Sequence, residues 1–121
     1  YKNFLNKIGI TTNNKFFDII IDDGSHKLND ILKVLKIYFK HLKSKGFYII
    51  EDYRLPNFFK HLNDANETKI DKLINFVKQR KYFKSKILNK SYQNIFFNEI
   101  VTIKKYHGLS KISDIVFFKK R

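Results

Sequence analysis

Cysteine and methionine are both absent from the 121 residues, proline occurs once, and the four glycines stand isolated. The missing thiol excludes disulfides, a thiolate nucleophile and cysteine-ligated zinc. With no G-x-G among Gly9, Gly24, Gly46 and Gly108, these residues contain no glycine-rich phosphate cradle. No apolar run nears the roughly 20 residues of a membrane-spanning helix. Lys2, Asn3, Asn6 and Lys7 interrupt any signal-peptide core at the start. These absences point to a cytoplasmic protein without a membrane partner. A chain that opens at Tyr1 and has no methionine reads as a fragment or a processed piece.

Acidic residues are scarce as well: 11 Asp and Glu stand against 25 Lys and Arg, a net charge of +14. Such a surplus is one signature of a nucleic-acid-binding face. Yet arginine, whose fork reads bases and grips phosphates, occurs only at Arg54, Arg80 and Arg121. Lys, Asn, Ile, Phe and Tyr dominate throughout, as an AT-rich genome produces. Genome composition is therefore the main reading of the charge, and a polyanion-binding surface the rival one.

What is present suffices for one domain with a modest core, since 43% of residues are hydrophobic and 17% aromatic. Phe16 to Asp22 is a continuous apolar run, the pattern of a parallel strand buried on both faces. From Leu28 to Leu42 the period becomes helical through Leu28, Ile31, Leu32, Leu35, Phe39 and Leu42. Ser25 is the expected N-cap, and Lys43, Lys45 and Gly46 are the expected helix end. Phe47 to Ile50 is a second apolar strand, closing on Glu51 and Asp52.

Strand, helix and strand with tight connections predict a right-handed crossover between parallel strands. Tyr53 to Asn66, with Pro56, reads as a loop. A helix follows through Ile70, Leu73, Ile74 and Val77, with Thr68 and Asp71 spaced as a capping box. Ile95 to Ile103 and Asp114 to Lys119 read as two antiparallel strands joined through Gly108. Tyr1 to Gly9 carries helical spacing, as the tail of a preceding unit would. The fold class is α/β, parallel strands with crossover helices ending in an antiparallel hairpin.

Ligands of such sheets bind beyond the carboxyl ends of the parallel strands. Asp22 and Asp23 follow the first strand, Glu51 and Asp52 the second. Carboxylates gathered on neighbouring strands repel one another unless a cation sits among them. No lysine falls inside either acidic turn, so a divalent cation with oxygen ligands, such as Mg²⁺, is one answer. The other is that a single acid points inward while the rest cap a helix or face solvent. His26 has two readings too, a general base beside the acids or a surface histidine in a turn. His41, His61 and His107 lack such company in the sequence.

The segment FDIIIDDGSH, a helix of about 18 residues, and LKSKGFYIIEDY together resemble one family of bacterial class I methyltransferases. That family includes the macrocin and mycinamicin O-methyltransferases, and cephalosporin-hydroxylase-like proteins share its pattern. The resemblance covers Phe16 to Asp52 well and the remainder as topology. It implies the C-terminal half of a Rossmann-like fold that uses S-adenosylmethionine and Mg²⁺. It implies Asp23, Glu51 and Asp52 as metal ligands and His26 as the base. The substrate implied is a small molecule's hydroxyl, on a sugar or secondary metabolite, with room for a homo-oligomer and no nucleic-acid partner.

The glycine-rich cofactor turn of that family has no counterpart in these residues, and its expected place is upstream of Tyr1. Residues 1–121 therefore read as a partial methyltransferase domain. A non-catalytic module binding RNA or another polyanion, and an inactive truncated product, are the rival readings.

Overall fold

The computed structural model describes residue 7 and residues 15–121, so the helical spacing over 1–9 lies, apart from Lys7, outside the described residues. Strand β1 (Phe17–Asp22) leads into helix α1 (Leu28–Tyr38), a 3₁₀ turn (Phe39–His41) and strand β2 (Leu42–Glu51). Two short turns follow, α2 (Leu55–Phe58) and a 3₁₀ turn (Lys60–Leu62), then α3 (Ile70–Gln79) and α4 (Lys90–Glu99). Strands β3 (Ile100–Tyr106) and β4 (Ile115–Lys120) end the chain. No helix among the described residues is long and apolar enough to cross a membrane.

The sheet order is β1-β2-β4-β3, with β1 and β2 parallel and both other pairings antiparallel. This is the expected mixed α/β architecture. The last strand inserts between β2 and β3, so the closing hairpin continues the sheet.

One face of the sheet holds the core. Tyr48, Ile50, Val116 and Phe118 alternate along β2 and β4. Leu28, Ile31, Leu32 and Leu35 of α1, with Ile70, Leu73, Ile74 and Val77 of α3, close over them as the amphipathic pattern dictates. Truncating a fully buried member such as Leu32 to alanine costs about 2–5 kcal/mol. The other face is barer. Ile19 and Ile21 are 55% and 59% exposed, so among the described residues β1 is not covered on both faces as its unbroken apolar run suggests.

Several boundaries differ from the expected ones. The strand starts at Leu42, so Lys43, Lys45 and Gly46 belong to β2 and do not end the helix. Pairing takes over because Phe16 N–H donates to the His41 carbonyl at 2.7 Å and Phe17 faces Leu42. Between there and the Ile19–Phe47 pair, β2 has extra residues that bulge, with Lys45 in the left-handed region at φ 65°. Gly46 permits the close approach that follows: a Cβ there would lie 2.7 Å from the Asp18 carbonyl oxygen.

The N-cap of α1 is Lys27, and Ser25 instead accepts from Lys27 N–H at 3.4 Å and donates to Asp30 in the first turn. Thr68 makes no capping box either. It donates twice to the Lys84 carbonyl, and Asp71 turns to Arg54 and Asn57. Finally, Ile95–Glu99 is helical. Asn89 caps α4 by accepting from Tyr92 N–H at 3.1 Å, and Gln93, Phe96 and Phe97 bury one side of it. Aromatic and β-branched residues at 95–97 hid that helix behind a strand-like composition.

Candidate active site

In the parallel pair Asp22 is the register partner of Ile50. The next residues, Asp23 just past β1 and Glu51 at the last position of β2, thus stand side by side, followed by Asp52. Two tight turns aim them. His26 and Asp52 both take left-handed backbone conformations, at φ 62° and 49°, where residues with a Cβ are uncommon and strain collects at working sites. Gly24 lets the first turn fold against its own strand: its N–H donates to Asp22 Oδ1 at 3.1 Å. Burial pushes the Asp22 carboxyl above the usual aspartate range, and its Oδ2 is buried without a hydrogen-bond partner.

The acids meet. One ligand atom each from Asp23, His26 and Asp52 lies within 4.8 Å of the other two. His26 Nε2 is 3.7 Å from Asp23 Oδ1, with Asp23 the more exposed of the two. Glu51 stands beside this triangle. The charge of Asp23, followed by desolvation, direct contact with the Asp23 carboxyl and the charge of Asp52, holds the Glu51 carboxyl above its usual range. The charge of His26 acts on it in the opposite sense.

A donor set in which the charges of Asp23 and Asp52 raise the proton affinity of Glu51 is one a hard divalent cation fits, since it removes the repulsion that protonation otherwise relieves. The geometry differs in one respect from the ligand set the resemblance implies. His26 completes the tightest triangle, and Glu51 reaches it through Asp23.

The remaining histidines separate. His41 is fully buried and His61 packs edge-on to Phe59. His107 has company that sequence spacing did not reveal: its Nδ1 is 3.2 Å from Oδ1 of the buried Asp114. The other oxygen of Asp114 accepts from Arg54 Nη1 at 2.8 Å, and Arg54 Nε lies 3.4 Å from Asp71. The Arg54 hydrogen bond, more than any other cause, holds the Asp114 carboxyl below the usual aspartate range. The one signal available was topological: residues 107–114 join β3 to β4 at the same end of the sheet as Asp52.

Comparison with known proteins bears on the fold, which matches part of a solved methyltransferase. Structures of the MycE methyltransferase from the mycinamycin biosynthetic pathway, solved with Mg and SAH, superpose over 86% of the chain at 23% identity and a TM-score of 0.62. The same enzyme with Mg, SAH and mycinamycin VI gives 0.61. In sequence, 36 residues are 50% identical to the L-olivosyl-oleandolide 3-O-methyltransferase of Streptomyces antibioticus. The chain spans about a quarter of the length of those structures, and its match covers 9% of the curated relative. No family model matches it.

Proposed function

We propose that this chain is the metal- and base-bearing part of an S-adenosylmethionine-dependent O-methyltransferase whose acceptor is a hydroxyl of a sugar or other secondary metabolite. One observation carries the reading: Asp23, His26, Glu51 and Asp52 converge at the carboxyl ends of adjacent parallel strands. The likeness to MycE, solved with Mg and SAH, and to a sugar O-methyltransferase supports it. The absence of cysteine suits a cytoplasmic setting, and nothing in the reading calls for a nucleic-acid partner.

Asp23, Glu51 and Asp52 would hold Mg²⁺, which supplies charge that lowers the proton affinity of a bound hydroxyl. Strand ends fix these side chains, so the acceptor oxygen is oriented before reaction. S-adenosylmethionine, when bound, would supply the methyl group, and His26 would take the proton of the acceptor hydroxyl. Its Nε2 faces the Asp23 carboxylate at 3.7 Å.

In the complete protein, His26→Ala should lower methyl transfer by about 10²–10⁴-fold, the usual worth of a positioned base. Transfer of labelled methyl to acceptor measures it, and a loss below about threefold would return His26 to a surface turn.

A further inference from the structure

A second constellation shares this end of the sheet and plays no part in the steps above. Ile115 is the register partner of both Glu51 on β2 and Tyr106 on β3. His107 therefore starts its loop two strand spacings, about 10 Å, from the start of the acidic turn. The two loops are tied together, since Tyr53 N–H donates to the Asp114 carbonyl at 3.3 Å. Between them opens a cavity of about 460 Å³ lined by Arg54, Phe58, His107, Ser110, Lys111 and Asp114.

The chemistry of its wall is specific. Asp114 is 3% exposed, and with its carboxyl held ionised by Arg54 it can only accept hydrogen bonds. The proton between it and His107 must then sit on Nδ1. In the neutral imidazole this leaves Nε2 as a bare acceptor, and the His107 side chain is 87% exposed. Phe58 is 43% exposed, and the Arg54 guanidinium lies 5.6 Å from its ring centre, which steadies the ring. One hydroxyl acceptor and one open aromatic face suit a ligand that carries hydroxyls on one edge and C–H groups on the other.

We propose that this cavity is an acceptor subsite, in which Phe58 packs against the C–H face of a hydroxylated ring and His107 Nε2 accepts a hydrogen bond from one of its hydroxyls. Its purpose rests on the methyl-transfer reading, whereas its geometry does not. A ring seated there extends towards the carboxylate cluster, with Asp114 orienting the imidazole and Arg54 holding both Asp114 and the Phe58 ring.

Binding of methyl α-L-rhamnopyranoside to the full-length protein, measured by NMR without metal or cofactor, tests the proposal. The probe should shift the imidazole resonances of His107. His107→Ala and Phe58→Ala should each weaken binding by about fivefold or more, the worth of one such contact. His107→Gln, which keeps a side-chain acceptor, should recover part of that loss, with unchanged thermal unfolding in all three variants excluding a folding defect. No binding at millimolar probe, wild-type affinity in both alanine variants, or shifts confined to His26 would overturn the subsite. Loss of Mg²⁺ binding or of methyl transfer bears only on the function proposed above, because this titration uses neither.

Discussion

Asp23 and Glu51 stand at the same level at the ends of adjacent parallel strands, because the residues before them, Asp22 and Ile50, are register partners. Their carboxyls consequently crowd each other, and Asp23 is the largest cause of the raised proton affinity of Glu51. Repulsion of this kind is a cost that a fold keeps only where something else requires the charges.

That cost predicts the behaviour of the metal-free protein. Asp23→Asn or Glu51→Gln removes one of two like charges at an open position, so thermal stability without metal should stay unchanged or rise slightly. Thermal unfolding in a chelator checks this. A marked fall in melting temperature would show that these side chains hold the turns together.

The opposite sign applies at Asp114, whose carboxyl Arg54 and His107 hold below the ordinary aspartate range. A depressed pKa in the fold means stability fully present above the unfolded value near 3.8 and lost as pH falls through the lower folded value. Asp114→Asn takes from the partly buried Arg54 the nearer of its two carboxylate partners and should cost about 1–3 kcal/mol at neutral pH. The deficit against wild type should shrink under acid conditions. Urea unfolding of both proteins across the acid range gives the comparison, and a deficit independent of pH would contradict it.

The outer edge of β1 has no strand partner among the described residues, and Ile19 and Ile21 are exposed beside it. An unpaired apolar edge is a template for a second chain. Residues 1–121 made alone should therefore self-associate, and Ile19→Lys with Ile21→Lys should restore the monomer. Light scattering behind a sizing column reads the mass. A monomer of the unsubstituted piece would mean the edge is covered by other means.

Much of this was legible in the sequence, for identifiable reasons. Continuous apolar runs placed β1 and β2 and helical periodicity placed α1, and Asp23, His26, Glu51 and Asp52 were visible because they adjoin those elements in the chain. Where local signals conflicted with tertiary pairing, the sequence misled. Lys43, Lys45 and Gly46 look like a helix end, yet β1 draws them into a bulged strand. Phe96 and Phe97 look like a strand, yet Asn89 starts a helix before them. The His107–Asp114–Arg54 link joins residues 60 positions apart, a contact only the sheet order creates.

The central claim is that the carboxylate cluster is the metal site of a methyltransferase. Calorimetric titration of the full-length protein with Mg²⁺, in the presence of S-adenosylhomocysteine, tests it most directly. The account predicts one Mg²⁺ bound per chain, with binding abolished in Asp23→Asn, Glu51→Gln and Asp52→Asn and retained in His107→Ala. Undiminished binding in all three acid variants, or none in the wild type, would contradict it.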